Sequence, residues 1–308
     1  MMTRLYFHSI FAEHLTGPGH PERPERIQAV MAALEDEAFH LLDRCEAPEG
    51  SLESIYRCHP EHYVRRLATA VPEDGIIRLD SDTILSPKSF TAALHGVGAA
   101  TAAVDAVMAK EADNVFVAAR PPGHHAETAT AMGFCLFNNA AIAARHAQAV
   151  HGLERVAIFD WDVHHGNGTQ DIFWSDPSVL YCSTHQMPLY PGTGAKDEVG
   201  AGNIVNAPLS AGTGGGTFRE AMNERILPAL RSFRPELVII SAGFDAHYRD
   251  PLANLKFIDK DFDWATGEML DIADRYAEGR LVSLLEGGYD LYGLSTSAAA
   301  HVKRLMTG

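Results

Sequence analysis

The chain reads as an α/β fold, a single domain with a central, mostly parallel β-sheet and helices on both of its faces. Three observations predict this. Short apolar runs recur at 115–119, 156–159, 179–182, 237–240 and 281–285, and strands that are apolar throughout are the kind buried on both faces. Helical patterns at 139–150, 217–233 and 261–277 lie between several of them, so the connections are crossovers joining parallel strands. Each run also ends in residues foreign to a core: Arg120-Pro-Pro-Gly-His-His125, Asp160-Trp-Asp-Val-His-His165, Ser183-Thr-His185, Ser241-Ala-Gly-Phe-Asp245 and Glu286-Gly-Gly-Tyr289. In open parallel sheets ligands bind at the carboxyl ends of the strands.

From the N-terminus, residues 1–26 should form a loop, because Pro18, Pro21 and Pro24 forbid a helix there. Ile27, Val30, Met31 and Leu34 mark an amphipathic helix over 25–42. The alanine-rich, proline-free stretch 89–110 reads as a long buried helix. Within 217–233, Thr217 and Glu220 have capping-box spacing, and Pro228 should bend the helix. No internal repeat, low-complexity tract or linker divides the chain, so residues 1–308 are assigned to one domain.

A length of 308 residues with 46% apolar content supports a large core. The formal charge of −15 argues against direct nucleic-acid binding and mildly favours cationic ligands, but on net charge alone ordinary acidic solubility is the better account. Cys45, Cys58, Cys135 and Cys182 lack paired spacing and read as free thiols of a reducing compartment. Neither a leader nor a stretch near the roughly 20 apolar residues of a membrane span is visible, so a cytoplasmic protein without membrane attachment is expected. The assembly state stays open, a homodimer included.

The chemistry centres on residues 155–169. Asp160, Asp162 and His164 occupy alternate positions, which in extended backbone share a face at spacings of roughly 6.6 Å. Asp162 and His164 can converge on one cation, with Asp160 one step deeper in support. A surface loop is the plain alternative. Asp245 is the best candidate for a third ligand; as a lone residue it would equally suit a helix N-cap. The set could make a catalytic zinc site but is oxygen-rich for zinc, so ferrous iron or cobalt stays open. His124 and His125, with the carboxylate of Asp160 available, suggest a general acid/base pair rather than two satisfied structural histidines. Tyr289, after a glycine turn, could donate a hydrogen bond to an oxyanion, or simply fill the core.

Pro121-Pro-Gly-His-His-Ala126, Gly133-Phe-Cys135, Asp160-Trp-Asp-Val-His-His-Gly-Asn-Gly-Thr-Gln170, Ser241-Ala-Gly-Phe-Asp245 and Leu285-Glu-Gly-Gly-Tyr-Asp-Leu291 together resemble the histone deacetylase superfamily, from about His20 to the C-terminus. Asn167 and the Glu286-Gly-Gly-Tyr289 form look like class II, and the compact length resembles the bacterial histone deacetylase-like amidohydrolases and acetylpolyamine amidohydrolases. The resemblance implies the arginase/deacetylase-like fold. It also implies Zn²⁺ on Asp162, His164 and Asp245, His125 as general base, His124 as its electrostatic partner or acid, and Asp160 orienting His124. Asn167 stands where class I enzymes have a second aspartate, which implies a weaker relay to His125. Tyr289 would polarise the scissile carbonyl. A structural K⁺ would sit against Asp160, Asp162, His164, Ser183 and Thr184. Gly133, Phe134 and Tyr190 would wall an acyl-lysine tunnel, and Arg26 would stand near an acetate exit path.

The implied reaction is hydrolysis of an N-acetyl amide. Leu252 falls at the family's gatekeeper position; being neutral, it resembles the lysine deacetylases and points to an acetylated lysine peptide or protein, with an acetylated polyamine as the alternative. An arginase-like ureohydrolase would need further aspartates for a second manganese. A non-catalytic acyl-lysine binding module would have lost a ligand, base or tyrosine, and none is missing.

Overall fold

The computed structural model describes all 308 residues. In chain order they form β1 (Thr3–Phe7), α1 (Glu25–Ala33), β2 (Asp43–Glu46), α2 (Leu52–Tyr56), α3 (Glu61–Ala70), the short strands β3 (Ile77–Arg78) and β4 (Ile84–Leu85), α4 (Ser89–Met108), β5 (Asn114–Val117), α5 (Asn139–His151), β6 (Val156–Asp160) and α6 (Asn167–Phe173). The second half adds β7 (Val179–Gln186), β8 (Ile204–Leu209), α7 (Gly215–Ala221), α8 (Leu227–Phe233), β9 (Leu237–Ala242), α9 (Asp259–Tyr276), β10 (Leu281–Leu285) and α10 (Leu291–Thr307).

One sheet holds eight strands in the order β2-β1-β5-β10-β9-β6-β7-β8, every neighbouring pair parallel. The separate β3–β4 ribbon is antiparallel. All residues of β5, β6, β7, β9 and β10 are buried whichever way they point. Helices therefore cover both faces: α4 packs with α5, and α10 with α9 and α1.

The first 26 residues are not all loop. Thr3–Phe7 forms β1, which pairs with both β2 and β5; the prolines rule out helix only further along, at 18–24. The first helix ends at Ala33 and is followed by a 3-10 turn at Glu37–Phe39, short of the expected Leu42. No capping box opens the 215–233 helix: it starts at Gly215 with no side-chain cap. A π-helical turn, Met222–Ile226, precedes α8, which has Pro228 in its first turn. A proline ring cannot share space with the carbonyl four residues back, and a widened turn relieves that conflict.

By length and composition α4 could cross a membrane, contrary to the reading that no stretch approaches a span, but 72% of its most apolar 18-residue window is buried in the protein. Its alanines and glycines let other segments approach closely: a side chain on Gly98 would strike the backbone at Pro48.

Candidate active site

The strand β6 is apolar and buried up to Asp160, where the chain leaves the sheet. Two backbone-to-carboxylate bonds shape the turn: Asp162 N donates to Asp160 Oδ1 at 3.1 Å, and His164 N to Asp162 Oδ1 at 2.9 Å. A side chain at Gly166 would collide with the Asp160 carboxylate, and one at Gly168 with the carbonyl of Ala126. These glycines let the chain double back beside His124.

Asp162, His164 and Asp245 present ligand atoms that all lie within 4.8 Å of one another, and all three residues are buried. His164 Nδ1 is 3.2 Å from Asp162 Oδ1 and 3.1 Å from Asp245 Oδ2. Second hydrogen bonds fix the carboxylates: Gly287 N donates to Asp162 Oδ2 (2.8 Å), and Val163 N to Asp245 Oδ1 (2.8 Å). Burial, and then the charge of Asp162, push Asp245 up to about 7. Burial disfavours the charged form of His164, yet the two carboxylates raise it to about 10. Two buried carboxylates and an imidazole are a donor set that one divalent ion completes. The cradle is tight: a side chain at Gly287 would enter both carboxylates. Asp160 lies outside the triad, as its deeper position implies.

The paired histidines have unequal partners. His124 Nδ1 meets Asp160 Oδ2 at 2.9 Å, and that oxygen also accepts from the Tyr181 hydroxyl at 3.1 Å. His125 Nδ1 meets Asn167 Oδ1 at 2.8 Å. The amide orientation follows from its other end, since Asn167 Nδ2 donates to the Glu127 carboxylate at 2.8 Å, a group that accepts. His125 therefore carries its proton on Nδ1, leaving Nε2 basic. Burial opposes charge on both rings, but Asp160 and Asp162 hold His124 well above the ordinary histidine value. Burial, with His124 and His164 beside it, drives His125 well below. The ring centroids are 4.0 Å apart.

Tyr289 closes the opposite side. Its ring lies 4.9 Å from the Arg26 guanidinium and edge-to-face with Phe134 at 5.8 Å. Burial raises its phenol well above 10, so the hydroxyl keeps its proton. Arg26 is fully buried and donates to the carbonyls of Glu286 and Gly288 at 2.6 Å each, clamping the loop on which Tyr289 stands. Glu286 Oε2 accepts from the backbone N–H groups of Gly123 and His124 (2.6 and 3.1 Å), tying that loop to the histidine pair.

A cavity of about 240 Å³ opens over these groups, lined by Asp82, His125, Gly133, Phe134, His164, Leu189, Tyr190, Leu252 and Tyr289. The expected wall residues Gly133, Phe134, Tyr190 and Leu252 are all present. Asp82 and Leu189 were not foreseen; Asp82 sits in the turn between β3 and β4, whose two-residue strands leave little periodicity to read. A larger depression, about 570 Å³, lies at the other end of the sheet beside Asp113 and Arg280 and contains none of the motif residues.

In strand register Asp160 lies between Ser183 and Ser241. The hydroxyls of Thr184 and Ser241 are buried without partners, while Ser183 Oγ pairs with His185 Nδ1 at 2.9 Å. A second group, Asp105, His146 and His151, also has metal-ligand spacing. Hydrogen bonds account for it: both Nε2 atoms lie 2.7 Å from Asp105 Oδ1, and Arg57 donates to His146 Nδ1 at 3.1 Å. That contact puts the proton of a neutral His146 on Nε2, where a metal would bind.

The histone deacetylase domain family matches residues 20–305. The chain is 41% identical over 300 residues to a probable deacetylase of Archaeoglobus fulgidus, covering 95% of this chain and 83% of that one. It is 43% identical over 277 residues to a histone deacetylase-like amidohydrolase of Pseudomonas aeruginosa, covering 88% and 73%. The crystal structure of the HDA15 HD domain superposes with a TM-score of 0.94 at 37% identity, covering 99% of this chain and 89% of that one. The chain belongs to the histone deacetylase family, whose members are metal-dependent hydrolases of acyl amides.

Proposed function

We propose that this protein is a zinc-dependent deacetylase that releases acetate from acetylated lysine in peptides or proteins. The observation that carries the reading is the convergence of Asp162, His164 and Asp245 beneath a narrow apolar cavity flanked by His125 and Tyr289. Asp162, His164 and Asp245 would hold the ion, Fe²⁺ being the alternative to Zn²⁺. When bound there, the ion would act as a Lewis acid toward the amide carbonyl and acidify the attacking water.

The remaining work falls to side chains. Phe134 and Tyr190 flank the apolar stem of the lysine. His125, neutral and with Nε2 free, takes the proton of the water that adds to the carbonyl carbon. Asn167, a neutral acceptor, fixes the tautomer without adding charge. The Tyr289 hydroxyl donates to the carbonyl oxygen as negative charge collects there. His124, held cationic by Asp160, stabilises that charge. As the C–N bond breaks, a protonated histidine gives its proton to the departing amine.

We also propose that K⁺ binds near Asp160, Asp162, His164, Ser183 and Thr184, with the unpartnered Thr184 hydroxyl as support. Leu252 presents no charge to a second cationic group, which favours lysine over polyamines. The carboxylate of Asp82 on the cavity wall favours the second reading, an acetylpolyamine amidohydrolase. Metal-stripped protein reloaded with Zn²⁺ or Fe²⁺ should release acetate from an acetyl-lysine peptide faster than from acetylputrescine or acetylspermidine. The reverse order assigns the enzyme to polyamines; no acetate from any of them, with the ion bound, removes the catalytic reading.

A further inference from the structure

Asp250 is buried, takes no part in the proposed reaction and faces no basic side chain within hydrogen-bond distance. Its neighbour Arg249 turns to Asp290 instead (2.9 Å). All its hydrogen bonds come from backbone. Oδ1 accepts from Leu252 N at 2.9 Å; Oδ2 accepts from Tyr289 N at 2.7 Å and, more weakly, from Asp290 N at 3.4 Å. The first bond is a local turn. The second spans 39 residues and reaches the backbone of the residue assigned to the oxyanion. A buried carboxylate without a counter-charge is costly, and hydrogen bonds to an ionised acceptor are strong.

The loop bearing Asp250 follows β9, carries Asp245 near its start and reaches the cavity rim at Leu252, which is 37% exposed. One carboxylate therefore joins the rim to the base of Tyr289. Arg26 holds the carbonyls of Glu286 and Gly288 just before Tyr289 and lies against its ring, which is edge-to-face with Phe134. The bond from Asp250 is the one made to the backbone N–H of Tyr289 itself. We propose that Asp250 is a positioning residue that keeps the Tyr289 hydroxyl in register with the reacting carbonyl and links that register to the rim through Leu252. The inference rests on the role given to Tyr289 above.

Asp250→Asn and Asp250→Ser test it in the metal-loaded enzyme. Asparagine has one acceptor oxygen for the two sets of N–H groups; serine can keep the local turn to Leu252 but is too short to reach Tyr289. Each should lower kcat about 10-fold or more, the cost of a small misplacement, with KM for an acetyl-lysine peptide within about twofold. The decisive measurement repeats both substitutions in a Tyr289→Phe background. With the hydroxyl gone its register is irrelevant, and the loss should shrink to less than about twofold. An equal loss in both backgrounds would show that Asp250 only supports packing and overturn the proposal. A Tyr289→Phe enzyme with unchanged kcat would instead refute the role of Tyr289. If the asparagine variant fails to fold, the serine pair completes the cycle.

Discussion

Nδ1 of His125 stands 2.8 Å from Oδ1 of Asn167, an acceptor without charge, whereas the adjoining His124 faces the carboxylate of Asp160. The neutral partner orients His125 without favouring a second proton on it, which suits a base whose Nε2 must be free before it acts. Asn167→Asp would place a carboxylate there and stabilise the imidazolium. His125 would stay protonated to higher pH, so the acid limb of the kcat/KM profile should move up. An unmoved limb would show that His125 is not the titrating base.

Tyr289→Phe should lower kcat by on the order of 10²–10³ if its hydroxyl is an oxyanion donor, with little change in thermal stability because the ring contacts remain. Turnover close to that of the unmodified enzyme on an acetyl-lysine peptide would remove the phenol from the reaction.

Most of this chemistry was legible because it lies where apolar strands end. Asp162, His164 and Asp245 group from the sequence alone, since a parallel sheet brings its carboxyl ends to one rim. What escaped was chemistry held by loops and by long-range pairing. Glu22 in its proline-rich loop gives no sign of meeting Arg120, 98 positions away. Glu286 read as part of a glycine turn, yet it braces the histidine segment. β1, β2 and β8 were missed because these outer or near-edge strands are partly exposed and interrupted by charge or proline. At Pro228 the regular ladder gives way to a wider turn over Met222–Ile226, a form that the residue pattern does not specify.

Removing the ion should both silence and loosen the protein. Without it Asp162 and Asp245 share one buried space, and burial raises Asp245 to about 7. Metal analysis should find one ion per chain at the triad, lost in Asp245→Ala together with activity. The melting temperature should rise as Zn²⁺ is titrated into stripped protein, as linkage requires of a ligand that binds only the folded state. An equal rise in Asp245→Ala would place the ion elsewhere.

Glu22 is fully buried, accepting from Arg120 at 2.5 and 2.7 Å and from Arg26 at 2.9 Å, with His14 at 3.5 Å. Burial opposes its charge, but the two guanidinium groups hold its carboxyl well below the usual range. Glu22→Gln leaves two buried cations without a counter-charge and should cost about 3–5 kcal/mol in urea unfolding. Because Arg26 clamps the Tyr289 loop, kcat should fall as well. A loss below about 1 kcal/mol would mean that the arginines find other partners.

Acid should destabilise the fold through buried histidines that take no part in the proposed reaction. His301 lies between Thr266 Oγ1 (2.7 Å) and Ser283 Oγ (2.8 Å), and burial lowers it to about 3. Thr266 spends its own proton on the Phe262 carbonyl at 2.6 Å, so it accepts from Nδ1–H of His301, and Nε2 accepts from Ser283. His59 is lowered to about 4, also by burial. In the unfolded chain each titrates near the ordinary value of about 6.5. Between the folded and unfolded values the unfolded state binds more protons, so stability is complete above about 6.5 and falls as the pH drops through that window. Each histidine should contribute about 1.4 kcal/mol per pH unit. His301→Gln should be less stable at neutral pH, having lost the imidazole that spans two hydroxyls. Its stability should also fall less steeply between pH 6 and 4, by about that one-histidine slope. Parallel urea-derived stability curves for the two proteins over this range would show that His301 is not buried neutral.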